Sequence, residues 1–548
     1  MAASAHADTF AADRLPSREQ WPDLMFTLPE LQYPERMNCA SRLLDRHVLE
    51  GFGNRRCIVA PPLVAGGKPL IWTYDDLFRR ANQIARVLVE DLGVVPGNRV
   101  LLRGFNSPML AACWFAVMKA GAIAVTTMPL YRATELSTII EKAQIAHALC
   151  DARLGDDMHD AIAERRDFYV LHFGNGELES RMESKADTFR NVDTAAEDVA
   201  IIAFTSGTTG KPKAAMHFHR DILATCDSYA SNVLRPRAED LFAGSPPLGF
   251  TFGLGGLLLF PLHARAATLL LEKAPPETLL QAIQEYKVSV IFTAPVAYRV
   301  MAEALDKYDT SSLRACVSAG ETLPQPVWER WFDRTGLRIL DGIGSTEMLH
   351  IFIGSPEQET IAGSTGRAVP GYIAEIHDDD GKALPPNAVG RLAVKGPTGC
   401  RYLQDERQRT YVQNGWNYPG DAYRMDEQGY FWYVARTDDM IIAAGYNVSG
   451  PEVEQALLAH EHVKECAVVG KPDPARQTNI VKAYVVLADG VDGDNGKIVE
   501  LQEFVRARIA AFKAPREIEF VDELPRTETG KVQRFRLRER AALDPSSK

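Results

Sequence analysis

The sequence is poor in the features that would place it in several common classes. Cysteine is scarce, eight in 548 residues, scattered singly at positions 39, 57, 113, 150, 226, 316, 400 and 466. No CxxC pair occurs among them, so neither a disulfide framework nor a zinc site is expected. Positive charge is outweighed: 61 Lys and Arg face 72 Asp and Glu, a formal net charge of −11, which argues against a broad nucleic-acid surface. Long apolar runs are also missing. The richest, Leu110–Val125, is interrupted by Lys119 and Gly121 and falls short of the roughly 20 residues that cross a bilayer. The N-terminal stretch MAASAHADTFAADRLPSREQW has no basic segment followed by an apolar core, so no signal peptide is expected. These absences lead to the expectation of a reduced, cytoplasmic protein with neither a membrane nor a nucleic-acid partner.

What is present is an ordinary globular balance, 46% hydrophobic and 24% charged, with length for about two to four domains. Over the first two-thirds, strand-like and helix-like segments alternate. RVLLRGFN (99–106) reads as a buried strand, SPMLAACWFAVMKAGA as a helix with Pro108 in its first turn, and IAVTTM as a strand. RATELSTIIEKAQ reads as an amphipathic helix before the strand AHALCD; later LLQAIQEY precedes the strand VSVIFTAP. This alternation predicts a layered α/β architecture with functional residues on loops at strand ends. After Gly420 the texture changes: YRMDEQGYFWYVAR reads as a hairpin, TDD as a charged joint, and a smaller unit follows. In that unit VKECAVVG and NIVKAYVVL read as strands, and IVELQEFVRARIAAF (498–512) as a helix. The expected division is a large N-terminal domain, 1–437, and a small mobile α/β domain, 438–548.

The strongest local signal is TSGTTGKPK, Thr205 to Lys213, which follows the apolar run VAIIAF. Glycine-freed backbone N–H groups, hydroxyls and lysine suit a polyphosphate. The loop is not a Walker A motif, G-x-x-x-x-G-K-[ST]. Thr205 stands where the first Gly belongs, and Pro212 replaces the Ser or Thr after Lys211. Further motifs follow in order: SAGETLP from Ser318, DGIGSTEM from Asp341 to Met348, GWNYPGD ending at Asp421, ARTDDMIIAAGYNVSGPEVE from Ala435 to Glu454, and PRTETGK ending at Lys531. Each alone reads as an ordinary turn.

Together, over nearly the whole chain, these motifs resemble the acyl-adenylate-forming enzymes: acyl- and aryl-CoA ligases, adenylation domains and firefly luciferase. DGIGSTEMLHIF and HRDILATCDSYASNVL resemble most the bacterial benzoate- and 2-aminobenzoate-CoA ligases. The resemblance implies ATP, Mg²⁺ and coenzyme A as cofactors, and a small aryl carboxylate as substrate. The carboxylate attacks the α-phosphate of ATP and pyrophosphate leaves; CoA thiol then attacks the acyl-adenylate and AMP leaves. A monomer or homodimer is expected.

The resemblance also implies residue roles. Thr205, Ser206, Gly207, Thr208, Thr209, Gly210 and Lys211 would grip the β- and γ-phosphates. Glu347, with Thr208, would hold Mg²⁺, and Thr346 would donate to the α-phosphate. Ala319, Gly320 and Glu321 would line the adenine and acyl pocket, continued by Asp341, Gly342, Ile343, Gly344 and Ser345. At Ile343 the family usually has an aromatic, so aliphatic contact would replace stacking on adenine. Asp421 and Arg436 would bind the ribose, Gly445 would lie on the CoA path, and Lys531 would bridge carboxylate and phosphate oxygens. Tyr229, Ala230, Phe250, Gly320, Ile343, Gly344 and His350 are the aryl-pocket candidates; for Tyr229, Ala230, Phe250 and His350 a plain core role stays open. His217 and His219 have i, i+2 spacing, but no further ligand supports a metal there. The basic run RFRLRER (534–540) is either a solvated face or an attractor for CoA phosphates. Rival readings are a stand-alone loader of a carrier protein, a non-catalytic nucleotide binder, and a medium- or long-chain acyl-CoA ligase.

The joint supplies a first prediction. Asp438 matches the family's pivot between the adenylating and thioester-forming arrangements, where large φ/ψ changes concentrate. Proline fixes φ, so Asp438→Pro should leave acyl-adenylate formation largely intact and impair thioester formation. Separate assays of the two half-reactions check this, and equal loss of both would remove the pivot from this position.

Overall fold

Strand Arg99–Arg103 is buried along its whole length, and its alternating side chains enter two different cores. Val100 and Leu102 pack with Ala112 and Phe115 of the helix Pro108–Lys119. Leu101 packs with Leu136 and Ile140 of the helix Ala133–Ala143. A strand covered on both faces has no polar face to show, which explains its unbroken apolar run. The computed structural model describes residues 2–62, 66–205, 212–436, 440–443, 446–473, 478–509, 511–526 and 530–543.

Five strands of this first sheet are parallel, in the spatial order Tyr169–Phe173, His147–Asp151, Arg99–Arg103, Ile123–Thr127, Val199–Thr205. The edge strand Lys213–Phe218 runs antiparallel to Val199–Thr205, with Thr205 opposite Lys213. A second, nine-stranded sheet has a parallel centre: Arg56–Ala60, Ala267–Leu269, Leu241–Gly244, Val290–Thr293, Ala315–Ser318 and Ile339–Gly344 lie side by side. Beyond it Ile351–Gly354 folds back antiparallel on Ile339–Gly344, with a register shift between Ile343 and Gly344. A third, antiparallel sheet contains the hairpin Asp421–Met425 and Phe431–Arg436, which sets Asp421 opposite Arg436.

The C-terminal part has its own three-stranded sheet, Val463–Asp473, Thr478–Leu487 and Glu517–Phe520. Its apolar cluster joins Val453, Leu457, Val468, Val485, Leu501 and Val505. The layered α/β class expected from the sequence is what the chain adopts. One element differs in extent. The helix read at 498–512 spans Asn495–Arg506, where Asp494 accepts from the Lys497 N–H at 2.8 Å as its N-cap. Residues Ala511–Lys513 form a short 3₁₀ turn instead, ahead of Pro515, whose ring bars continuation. The run 534–540 lies in the helix Arg534–Leu543. There Arg534 pairs with Glu454 at 2.7 Å and Arg540 pairs with Glu519, so these two arginines have carboxylate partners within the protein.

His217 and His219 are fully buried, and among the described residues neither belongs to a cluster of groups with metal-ligand spacing. His217 Nε2 lies 2.7 Å from the Thr346 carbonyl, and His219 Nδ1 lies 3.2 Å from Cys39 Sγ. Burial, then the nearby His6, lowers the His219 pKa from 6.5 to about 3, opposed by Asp198. Burial lowers that of His217 to about 4. An unfolded histidine accepts a proton near its ordinary value; these accept it only in stronger acid. Between the two pH values the unfolded state binds more protons, so stability is full above about pH 6.5 and is lost as pH falls. Thermal melts from pH 7 to 5 should therefore show a falling Tm, with each such histidine contributing up to about 1.4 kcal/mol per pH unit. His219→Gln should flatten that slope, and an unchanged slope would assign the acid sensitivity elsewhere.

Candidate active site

The phosphate-loop candidates Ser206, Gly207, Thr208, Thr209, Gly210 and Lys211 lie outside the described residues, as do Asp438 and Gly445. The two stems of the loop are described. Thr205 ends one strand and Lys213 begins its partner. Lys213 Nζ stands 5.4 Å from the ring centroid of Tyr402. The Tyr402 hydroxyl donates to Glu347 Oε1 at 2.5 Å. Burial, then the Glu347 charge, raises the Tyr402 pKa far above a free phenol, so the hydroxyl keeps its proton and stays a donor. Glu347 is buried, and among the described residues Tyr402 is its hydrogen-bond donor. One carboxylate oxygen is thus engaged and a hard oxygen remains, a donor set that fits Mg²⁺.

The backbone around Glu347 is held on several sides. His217 meets the Thr346 carbonyl, the Ser345 hydroxyl is 3.0 Å from Tyr411 Oη, and the Met348 N–H donates to Ser345 Oγ at 3.2 Å. Behind Tyr402, the fully buried Arg401 pairs with the fully buried Asp221, and the Met216 N–H donates to the Arg401 carbonyl at 2.8 Å. Leu349 is buried with φ +70°, a conformation that leucine rarely adopts. Such strain persists only where surroundings over-determine it, and it concentrates at functional sites. Here it separates Glu347 from His350.

A second group closes the cleft. Asp421 Oδ2 lies 3.3 Å from Arg436 NH1, and the same nitrogen donates to the Pro419 carbonyl at 3.0 Å. Lys531 arrives from the C-terminal part of the chain, and a Cβ added to Gly320 would lie 3.9 Å from its Cε. Gly320 has φ +92°, so glycine suits this turn on torsion grounds. Lys531 keeps an exposed edge, yet the protein crowds its ammonium. Loss of hydration pulls its pKa below an ordinary lysine, while Glu321, Asp421 and Glu347 pull it back up and Arg436 opposes them. Glu321 is shifted the other way: burial raises it, against Arg526, Lys531 and Arg534. Residues 321, 347, 421, 436 and 531 are therefore one electrostatic unit.

The aryl-pocket candidates fall into two groups. His350 is buried, with Phe260, Tyr229, Phe252 and Phe292 around it at centroid distances of 4.5, 5.5, 5.8 and 6.5 Å. Among the described residues, neither His350 ring nitrogen, nor the Tyr229 hydroxyl, nor Asp341 Oδ1 has a partner with ordinary hydrogen-bond geometry, though the Phe252 backbone stands near the imidazole and Ser318 near the carboxyl. Burial holds the His350 pKa at about 3, so the imidazole is neutral at physiological pH and presents one donor and one acceptor. Burial pushes the Asp341 carboxyl up to about 8, offset in part by the Gly342 N–H and nearby Ser318. Gly255 makes room for the imidazole: a Cβ there would lie 2.3 Å from His350 Cδ2. Ile343 packs on the edge of the same apolar core, which includes Ala230 and Ala319. Phe250 makes no ring contact with His350 among the described residues; Phe252, two residues on, does.

Several neighbours were missed by sequence reasoning. Tyr402 and Tyr411 sit in no recognisable motif, His217 stands out in the sequence only for its i, i+2 spacing with His219, and Phe252, Phe260 and Phe292 carry no sequence signal of their own. Among the described residues one His/Glu cluster has metal-ligand spacing, His460, His462 and Glu500, with ligand atoms within 4.8 Å of one another. Lys497 Nζ stands 2.8 Å from His462 Nδ1 and 2.7 Å from Glu500, so the protein's own cation already meets that cluster.

Comparison with known proteins accounts for this arrangement. The AMP-binding enzyme family profile matches residues 45–402, and the profile of the AMP-binding enzyme C-terminal domain matches 452–531. The chain is 33% identical over 524 residues to the benzoate–CoA ligase of Thauera aromatica, covering 93% of this chain and 98% of that protein. The crystal structure of the anthranilate CoA ligase AuaEII in complex with anthranoyl-AMP superposes with a TM-score of 0.89 at 32% identity, over 94% of this chain and 99% of that one. A benzoate CoA ligase from Burkholderia xenovorans LB400 gives 0.83 at 30% identity, over 92% and 100%. The chain belongs to the AMP-binding enzyme family and is an AMP-forming acyl-CoA synthetase.

Proposed function

We propose that this ligase activates an aromatic carboxylate, benzoate or a ring-substituted relative such as 2-aminobenzoate, in the cytoplasm. The observation that carries the reading is the ring cage around His350. The rings of Phe260, Tyr229, Phe252 and Phe292 packed around His350 would offer an apolar, aromatic surface suited to a benzene ring. Unpaired buried donors and acceptors cost about 1–3 kcal/mol each, and an amino or hydroxyl substituent would satisfy them. The benzoate and anthranilate ligases that the chain resembles support the same substrate class.

Adenylation requires negative charge to be balanced at a polyphosphate and at an attacking carboxylate. Glu347 and Thr208 would hold Mg²⁺, which when bound offsets charge on the phosphate oxygens. Thr346 would donate to the α-phosphate. Lys531 would orient the carboxylate toward phosphorus, drawing on its position beside Gly320. Asp421 and Arg436 would fix the ribose, and Ala319, Gly320 and Glu321, with Asp341 to Ser345, would enclose adenine and the acyl group. CoA would enter past Gly445 once the small domain turns about Asp438 and carries Lys531 away.

Two outcomes test this reading. Lys531→Ala should nearly abolish acid-dependent ATP–pyrophosphate exchange, since losing one preorganised donor costs about 10²–10³ in rate. Given pre-made aroyl-adenylate and CoA, the same variant should form thioester within about tenfold of wild type, at most about 1.4 kcal/mol. Collapse of both steps in a folded protein would refute that division. His350→Ala should reorder benzoate, aminobenzoates and hydroxybenzoates by about 1–3 kcal/mol in kcat/KM while leaving the ATP KM nearly fixed. An unchanged ranking with a lowered Tm would make His350 structural.

A further inference from the structure

The helix Pro295–Ala304 of the large N-terminal part carries Arg299 at its surface. Arg299 NH2 lies 2.6 Å from Glu465 Oε1, and Arg299 NH1 donates to the Lys464 carbonyl. Both acceptors belong to the strand Val463–Asp473 of the C-terminal part. The other Glu465 oxygen, Oε2, accepts from Arg526 NH2 at 2.7 Å. Arg526 NH1 then donates to the Gly530 carbonyl at 2.5 Å, on the peptide that leads into Lys531. Arg526 also bridges Val532, and the Gln533 N–H donates to the Pro525 carbonyl at 2.8 Å. Charge-assisted bonds thus run without a gap from the large part, through one carboxylate, to the backbone that presents Lys531.

We infer that Arg299, Glu465 and Arg526 are positioning residues that latch the small domain in the adenylating arrangement and so fix Lys531 beside Gly320. The inference rests on the proposed role of Lys531. None of the three is assigned a substrate contact; they act through the lysine-bearing loop. Glu465 divides its oxygens, one for each arginine. The Glu465–Arg526–Gly530 half lies within the small domain and travels with it. The Arg299 half crosses between domains, so it must break whenever the small domain turns to admit CoA. A contact present in one arrangement and absent in the other shifts the balance between them by its own free energy. The side chains are 19–29% exposed, shielded enough for the pair to count and wet enough for it to open. Burial raises the Glu465 pKa, but Arg526 and then Arg299 outweigh it, which keeps the carboxylate charged.

The test uses the full-length enzyme with whichever of benzoate or 2-aminobenzoate the wild type activates. Both half-reactions are measured: ATP–pyrophosphate exchange, and thioester formation from the matching pre-made adenylate and CoA. Arg299→Ala should lower exchange about tenfold, the shift that losing one charge-assisted contact supports. Thioester formation should hold at the wild-type rate or rise, which also shows that the variant is folded. Arg299→Lys should recover much of the exchange, and the acid KM should stay put. Equal loss in both half-reactions, or unchanged exchange in Arg299→Ala, overturns the latch. Lys531→Ala run in parallel separates the two ideas. If it abolishes exchange while Arg299→Ala leaves exchange intact, only the latch falls. If it leaves exchange intact, the role of Lys531 falls and the latch falls with it.

Discussion

The hydrogen bond from Tyr402 to Glu347 is the contact on which the site is arranged. A carboxylate brought into a protein interior must be paired or hydrogen-bonded, or it takes up a proton. The Tyr402 hydroxyl, 2.5 Å from Oε1, supplies that hydrogen bond without a cation. Tyr402 in turn has Lys213 of the phosphate-loop stem near its ring. Its neighbour Arg401 is anchored by the buried pair with Asp221, beside His217, which meets the Thr346 carbonyl. Loop stem, carboxylate and turn are thereby fixed to each other, and on the proposed reading this would preorganise charge for a polyphosphate.

Electrostatic balance explains the rest of the cleft. Lys531 sits among Glu321, Asp421 and Glu347, with Arg436 opposing. These residues come from distant strands and loops, so the cleft is assembled only when the two parts of the chain meet. On the proposed reading, a lysine brought by a small mobile unit would gate the two-step reaction, because moving one element replaces one set of charges with another.

Much of the fold was legible because it follows local rules. The strand at 99–103 and the helix opened by Ser107 and Pro108 are set by burial period and capping. The motifs carrying Glu347, Asp421 and Lys531 were legible because unusual residue strings recur in a fixed order. The supports were not. Tyr402 and Tyr411 look like any buried aromatic until folding places their hydroxyls beside Glu347 and Ser345. Phe252, Phe260 and Phe292 become a cage only because three separate elements converge on His350. Phe250 and Phe252 differ by two residues, and no periodicity could tell which ring would face inward. The Arg299–Glu465 pair spans 166 positions and has no sequence signature at all.

The left-handed backbone of Leu349 has one more consequence. It lies between Glu347 and His350 in the chain, so this strained torsion helps set how the two side chains are placed relative to each other. Any change that lets this residue relax would swing Glu347 and His350 relative to each other. On the proposed reading, a change that relaxes this turn to broaden the acid range would also move the carboxylate proposed to hold Mg²⁺. An enzyme evolving toward bulkier acids would do better to reshape the far wall, at Phe252, Phe260 or Phe292, than to alter the turn itself.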